Sequence, residues 1–449
     1  MKKGAIIFII AALLICSCGN SNTKPKVNEA VANNTGNVKR ELFGKLTMSM
    51  PIYFGSIVNL VEDFKKENPN VEIEIRSCNE EGEAFPVDNM NVFYDYVLMM
   101  ATDVMSENDV DIYETSYLPY FKYVKSGAFE DLYSYMNTDQ LFRTEDYYTN
   151  VFEALSYDGK LCVLPTHFDY NIVRFNTKYV NELDENKLDV DYRDIEKMYV
   201  SALSNNQDIK LDFSCINSAF SSDFNNIELS GRMNIKNETI VIDSEAFGKY
   251  LDFSKKYLNH EGYVMGIDDY VEVDPEQNPW FANYLPFHII GLNEKTTEVT
   301  KPYLVSASTG DLPFNPIGGM YSISTNSNNK ELSWEFLKYL IEEKNYDFDS
   351  YEIKEYEKNI EGYIAYVPVN KNNFRKTAFD IWEKKFNRDV SEDVEYWDGI
   401  NSVVNCIMFS DVELNDIIYS VLNEYENDII DQSECIKQLQ EKVQIYLDE

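Results

Sequence analysis

The sequence predicts an α/β fold built on parallel strands and divided into two lobes, and three observations predict it. Leu46 to Met50 alternates as a strand, Ile57, Leu60, Val61 and Phe64 form one helical stripe, and Val71, Ile73 and Ile75 alternate as a second strand. Strand, helix and strand at this spacing make a βαβ unit, which implies a parallel sheet with a right-handed crossover. A further unit opens at Asp109-Val110-Asp111-Ile112, runs through a helical Tyr117 to Lys125 and turns at Gly127. The folded body is roughly 405 residues long, too many for one small core and enough for two lobes of ordinary domain size.

Ahead of the body, Lys2 and Lys3 precede an almost unbroken apolar run from Gly4 to Ile15, the outline of a signal peptide over residues 1–17. The run is roughly a dozen residues, short of the ~20 that a membrane-spanning helix needs. It continues as Leu14-Ile15-Cys16-Ser17-Cys18-Gly19, with a branched apolar residue three before Cys18 and a small residue directly before it. This stretch resembles the lipobox of bacterial lipoproteins. The resemblance implies that Cys18 receives the lipid and becomes the first mature residue, while Cys16 leaves with the signal. An ordinary secretory signal with two incidental cysteines is the competing reading. Residues 20–40 are rich in Asn, Ser, Thr, Lys and small residues, too poor in apolar surface to offset the entropy of ordering, so 18–41 is expected to be a flexible tether.

Each element of the body has a local reason. Ser56 is placed to cap the first helix, and Asn68-Pro69 stops it, because a residue before proline avoids the helical region. Tyr157 to Pro165 reads as a turn and a short buried strand, and Asp169 to Asn176 as a further β-prone stretch. From Lys178 to about Lys301 the pattern is mixed, with a helix expected near 245–258 and a small sheet over Asn225 to Ile242. Met320 to Ser324 reads as a strand. Asn328-Asn329-Lys330-Glu331 then resembles a capping box that opens a helix with Trp334, Leu337, Leu340 and Ile341 on one face. Trp334 is therefore read as core. Asp431 is the expected cap of a last helix striped by Ile436, Leu439, Val443 and Leu447, and no internal repeat is present.

Composition narrows the function classes. The net charge is −37, and without Lys2 and Lys3 the mature chain sets 38 basic residues against 77 acidic ones. Such a surface repels phosphate backbones and anionic lipid heads, which argues against nucleic acid and for a neutral or cationic partner. Solubility of an exported protein accounts for most of that charge. Besides Cys18 the mature chain holds Cys78, Cys162, Cys215, Cys406 and Cys435, an odd number with long spacings and no CxxC pair. That pattern is neither a disulfide framework nor a zinc site and fits free thiols, though one long-range bridge stays compatible with it. There is no GxSxG, P-loop or HExxH motif, and the histidines are His167, His260 and His288 only. His167 and Asp169 lack a third ligand nearby, so no metal is expected.

In this order the landmarks resemble the extracellular solute-binding proteins of family 1, the lipoprotein receptors of ABC sugar importers. The resemblance rests on Phe64-Lys65-Lys66-Glu67-Asn68-Pro69-Asn70-Val71-Glu72-Ile73, Gly127-Ala128-Phe129-Glu130-Asp131-Leu132, Tyr157 to Pro165, Ser333 to Leu340 and Gln440 to Glu449. It covers most of the chain from Leu46 onward and has no single signature. It implies a two-lobed periplasmic-binding-protein-like fold of type II, each lobe a mostly parallel sheet flanked by helices. Hinge crossings are expected near Pro165 to Asn171, Asn315 to Gly319 and Gly362 to Asn370. One lobe would combine 42–166 with 319–362, and the other 170–315 with 368–449. The implied function is a monomeric substrate-binding lipoprotein, anchored at the outer face of the cytoplasmic membrane. It captures an extracellular carbohydrate and delivers it to ABC permease subunits, with no catalysis and no cofactor.

Candidate ligand-binding residues follow from where such a fold binds. Loops beyond the carboxyl ends of strands are the place to look, and sugars need ring platforms and paired acceptors. Tyr53, Glu80, Glu81 and Glu114 follow the first three strands; Asp169 and Tyr170 stand at the first crossing, and Gly318 and Gly319 at the second. Trp280 is the preferred stacking platform, in a segment read as irregular, and Trp397 beside Asp398 the second. Two other classes stay open: a secreted carbohydrate-active enzyme, which needs a carboxylate pair, and a receptor for a non-sugar small solute.

Overall fold

The computed structural model describes residues 41–51, 55–78, 91–105, 109–176, 187–205, 218–257, 280–283, 300–316, 319–342, 366–386, 389–408 and 411–449. The body opens with β1 (Gly44–Met50), α1 (Gly55–Glu67) and β2 (Val71–Ser77). β1 and β2 run parallel, Gly44 opposite Val71 and Met50 opposite Ser77, the crossover that the periodicity predicts. Leu46, Met48 and Met50 are buried on one face of β1 and Thr47 and Ser49 on the other, as expected of a parallel sheet covered on both sides. α1 buries Ile57, Val61 and Phe64, with Phe64 edge-on to Phe336 and Tyr339. It stops where the Asn68 side chain donates 2.9 Å to the Phe64 carbonyl, closing the last turn.

α2 (Asn91–Met105) leads to β3 (Ile112–Glu114), which lies parallel on the other side of β1. α3 (Tyr120–Lys125), α4 (Leu132–Thr138) and α5 (Thr149–Leu155) follow, with Gly127 turning at a φ of 76° that favours glycine. β4 (Leu164–Pro165) then reaches the far edge of this sheet.

The chain leaves through β5 (His167–Phe168) and enters a second sheet as β6 (Ile172–Asn176). Next come β7 (Asp189–Val190), α6 (Tyr192–Asn205), α7 (Ser218–Ser230), β8 (Met233–Asn234), β9 (Thr239–Ile240) and α8 (Ser244–Tyr257). β10 (Trp280–Asn283), β11 (Thr300–Val305) and β12 (Pro313–Phe314) follow. The second sheet has the order β10-β6-β11-β7, with β6 antiparallel to both neighbours. Two expectations are corrected here. The span 225–242 is helical to Ser230 and only then a two-residue hairpin, because Phe224 and Ile227 bury at helical spacing and Glu228 meets Arg232 four residues on. Trp280 lies at the start of a strand, opposite Phe175, and not in an irregular segment.

β13 (Met320–Ile323) returns to the first sheet between β3 and β4, antiparallel to both, completing the order β2-β1-β3-β13-β4. α9 (Lys330–Ile341) buries Trp334, Leu337, Leu340 and Ile341 against it, so Trp334 is core, its Nε1 donating 3.1 Å to Asp139. The capping-box expectation, which pairs Asn328 with Glu331, is corrected: the residue at the cap is Asn329, which makes no side-chain cap and whose amide nitrogen donates 3.3 Å to Asp111. The chain ends with β14 (Val367–Pro368), α10 (Lys371–Phe386), α11 (Ser391–Asn401), β15 (Cys406–Ile407), α12 (Val412–Glu426) and α13 (Gln432–Asp448). Asp431 caps α13, accepting from the Glu434 amide at 2.9 Å, and Ile436, Leu439, Val443 and Leu447 are its buried stripe. The fold is thus two-lobed α/β, with one sheet at the centre of each lobe. Among the described residues no helix is long and apolar enough to cross a membrane.

Candidate functional site

Parallel strands β1 and β3 end at one edge of the first sheet, where open α/β sheets receive ligands. The Tyr96 hydroxyl of α2 ties the two ends, placed 3.0 Å from the Ser49 carbonyl and 2.7 Å from that of Glu114. Three segments meet beside this edge: Thr166 to Asn171, which links the first sheet to the second, the return at Asn315 and Gly319, and Tyr366 to Asn370. The Thr166 amide donates 2.8 Å to Gly319, the Val369 amide donates 3.1 Å to Thr166, and Asp169 and Asn315 exchange backbone bonds of 2.8 and 2.6 Å. β5 and β14 pair antiparallel, and the His167 ring stacks on Tyr366 at 4.7 Å. Gly319 has no room for a side chain: a Cβ would lie 2.3 Å from Thr166 Oγ1 and 2.7 Å from the His167 ring. The close approach permitted by this glycine is to the first passage.

Glu114 ends β3 and is 1% exposed. Its Oε1 accepts the Ser116 amide at 3.1 Å and the Ser116 hydroxyl, while its Oε2 has no hydrogen-bond partner among the described residues. Burial pushes the carboxyl up to about 7, only partly offset by the bonds from Ser116 and the pull of the nearby Met320 amide. Half-buried Tyr117 is raised first by burial, then by the charges of Glu114 and Tyr366; Tyr366 is raised by burial and then by Asp169. Asp169 is itself buried, with Oδ1 accepting the Tyr170 amide at 2.7 Å.

The structure therefore brings Glu114, Asp169 and Gly319 into one neighbourhood with Tyr117, His167 and Tyr366. Tyr170 and Trp397 spend their ring faces on packing. They stack at 6.5 Å, both buried, with the Tyr170 hydroxyl donating 2.7 Å to Asn401. Asp398, next to Trp397, accepts from Tyr148 and Arg375. Trp280 is placed by its backbone in β10. Tyr53, Glu80, Glu81, Gly318, Cys18 and Cys215 lie outside the described residues. Sequence reasoning missed Ser116, Tyr117 and Tyr366. The one available signal is that Ser116 and Tyr117 follow Glu114 at a strand end.

Chemically, the neighbourhood offers carboxylates, phenols, an imidazole and ring faces, a set suited to hydroxyl groups and the apolar faces between them. Among the described residues no group of three His, Cys, Asp or Glu is arranged to hold a metal ion. Burial raises the Cys162 thiol to about 11 and those of Cys406 and Cys435 to about 12, so none of these three is a thiolate near neutral pH.

No family model matches the chain, and neither does any curated protein. Its likeness is to solved structures. An extracellular solute-binding protein of family 1 from Alicyclobacillus acidocaldarius matches at a TM-score of 0.59 and 13% identity, over 92% of this chain and 100% of that one. The sugar-binding protein MalE from Xanthomonas citri matches at 0.58 and 13%, over 90% and 98%. The GacH receptor of Streptomyces glaucescens matches at 0.53 and 15%, over 91% and 100%. At these identities the likeness is one of fold, the two-lobed fold of the periplasmic binding proteins.

Proposed function

We propose that the protein is the substrate-binding lipoprotein of an ABC importer, capturing an extracellular carbohydrate between its lobes and delivering it to a membrane permease. The observation that carries this reading is the meeting of two links between the sheets with the 366–370 segment at the carboxyl end of β3, beside buried acids and tyrosines. A ligand touching groups from both sheets stabilises the arrangement in which they face each other, by differential contact. Structures of like fold support it: the MalE protein is named as sugar-binding, and GacH was solved unliganded and with acarbose.

In this reading the lobes are 42–166 with 319–362 and 170–315 with 368–449, and Trp280 supplies a ring platform. The mature protein is a monomer without cofactor, tethered through 18–41 to lipid on Cys18 at the outer face of the cytoplasmic membrane. The deciding experiment is a thermal-shift screen against neutral oligosaccharides with product analysis of every hit. Binding to the native state alone raises the melting temperature, and the expected hit is returned chemically unchanged. Hydrolysis of it would make the protein a carbohydrate-active enzyme. With that hit, Trp280→Ala weakens binding at least about tenfold, ~1.4 kcal/mol, by calorimetry. Cys18→Ala moves the protein from the membrane fraction to the medium.

A further inference from the structure

Ser116 stands between the buried Glu114 carboxyl and the second passage. Its hydroxyl donates to Glu114 Oε1, and its oxygen accepts the amides of Gly319 at 3.1 Å and Met320 at 3.2 Å. A serine hydroxyl has one hydrogen and two lone pairs. All three are committed when Glu114 is ionised. A neutral Glu114 breaks that accounting. A proton on Oε1 needs a lone pair that Ser116 has already given to the passage, whereas a proton on Oε2 has no partner among the described residues and leaves Oε1 a weaker acceptor.

The surroundings set the protonation near neutrality. Burial disfavours the charge and brings the carboxyl to about 7. The groups facing it are Tyr96 from α2, Tyr117 from the turn after β3 and Tyr321 opposite it on β13. His167 and Asp169 on the first passage and Tyr366 on the 366–370 segment stand beyond Gly319. Among the described residues no lysine or arginine contributes to holding the charge.

We propose that Glu114 and Ser116 form a proton-sensitive latch on the passage at Gly319 and Met320, tight when Glu114 is ionised and loosened when it is neutral. As regulation of ligand capture the latch rests on the receptor reading; as a property of this backbone it does not. Its test therefore uses no ligand. Hydrogen exchange is followed by mass spectrometry at the Gly319 and Met320 amides of the full-length protein, from pH 6 to pH 8, after correction for the intrinsic pH dependence of exchange. Over that range a group titrating near 7 becomes about tenfold more ionised, so protection rises up to about tenfold in the wild type. Glu114→Gln, neutral throughout, shows no such rise. Ser116→Ala has low protection at both pH values and carries the test alone if Glu114→Gln fails to fold. Protection that is independent of pH in the wild type, or that still rises in either variant, overturns the latch. Neither result bears on whether a sugar binds, so failure of the latch and failure of the receptor reading are separate outcomes.

Discussion

Among the described residues each lobe buries one glutamate, and the two are treated in opposite ways. Glu228, on α7 beside the second sheet, is fully answered. Its Oε1 accepts the Ser308 amide at 2.9 Å, and its Oε2 accepts Arg232 at 2.7 Å and the Ser308 hydroxyl at 2.8 Å. Glu114, at the end of β3, has Ser116 on one oxygen and, among the described residues, no partner on the other. Burial raises both carboxyls, but Arg232 draws Glu228 back, and among the described residues no base does so for Glu114. A satisfied network rigidifies a core, whereas a half-satisfied one leaves the balance to protons or a ligand. The second lobe thus uses its buried acid as a joint, and the first keeps its own poised beside the links between the sheets.

Breaking the joint gives the largest expected effect. Arg232→Ala leaves a buried carboxylate uncompensated and removes the guanidinium from over the Phe247 ring, so a loss of about 3–5 kcal/mol is expected in denaturant unfolding. A loss under about 1 kcal/mol would mean that Glu228 is hydrated and that the contrast with Glu114 is false.

Glu114→Gln sharpens the other side through pH. The native carboxyl titrates near 7 against an ordinary 4.5, so between these values the folded protein holds a proton that the unfolded chain has released. Stability contributed by that proton is complete below 4.5 and is lost as pH rises through 7. The glutamine variant does not share this loss. Its stability relative to wild type should therefore climb by up to about 3 kcal/mol from pH 4.5 to pH 8, each tenfold difference in proton affinity being worth about 1.4 kcal/mol. Parallel pH profiles for the two proteins would show that Glu114 is solvated. Global stability falls with pH here, while protection at Gly319 rises, so the two responses of one carboxyl have opposite signs.

The same contrast explains what was legible in the sequence. The first βαβ unit is local: Leu46, Met48 and Met50 and the stripe from Ile57 to Phe64 declare their periods within a few turns of chain. The second sheet is assembled from afar, with Phe175 of β6 opposite Trp280 on one side and Lys301 on the other. No local period encodes such a pairing. Ile227 and Leu229 flank a polar Glu228, which reads as alternation until its bond to Arg232 shows the helical spacing. At the site, Glu114, Asp169 and Gly319 could be found because strand ends and a proline-marked crossing place them. Tyr117 and Tyr366 could not, since 33 tyrosines dilute any one of them, and Ser116 matters only through a hydrogen-bond count that needs coordinates.

The smallest expected effect is at a charge pair that joins the same two regions on the surface. Lys125 of α3 donates 2.9 Å to Glu238 of the β8–β9 hairpin, with the two side chains 40% and 27% exposed. Tyr157 also donates to Glu238, so the carboxylate keeps a partner when the lysine is gone. Exposed pairs are screened and lose side-chain entropy on forming, which limits them to roughly 0.2–1 kcal/mol. Lys125→Ala should therefore cost less than about 1 kcal/mol, and a double-mutant cycle with Glu238→Gln should give a coupling that fades at about 1 M salt, where the screening length falls to ~3 Å. A coupling several times larger and insensitive to salt would place this pair with Glu228 and Arg232. Burial and completeness of pairing would then no longer separate the joints of this fold from its surface contacts.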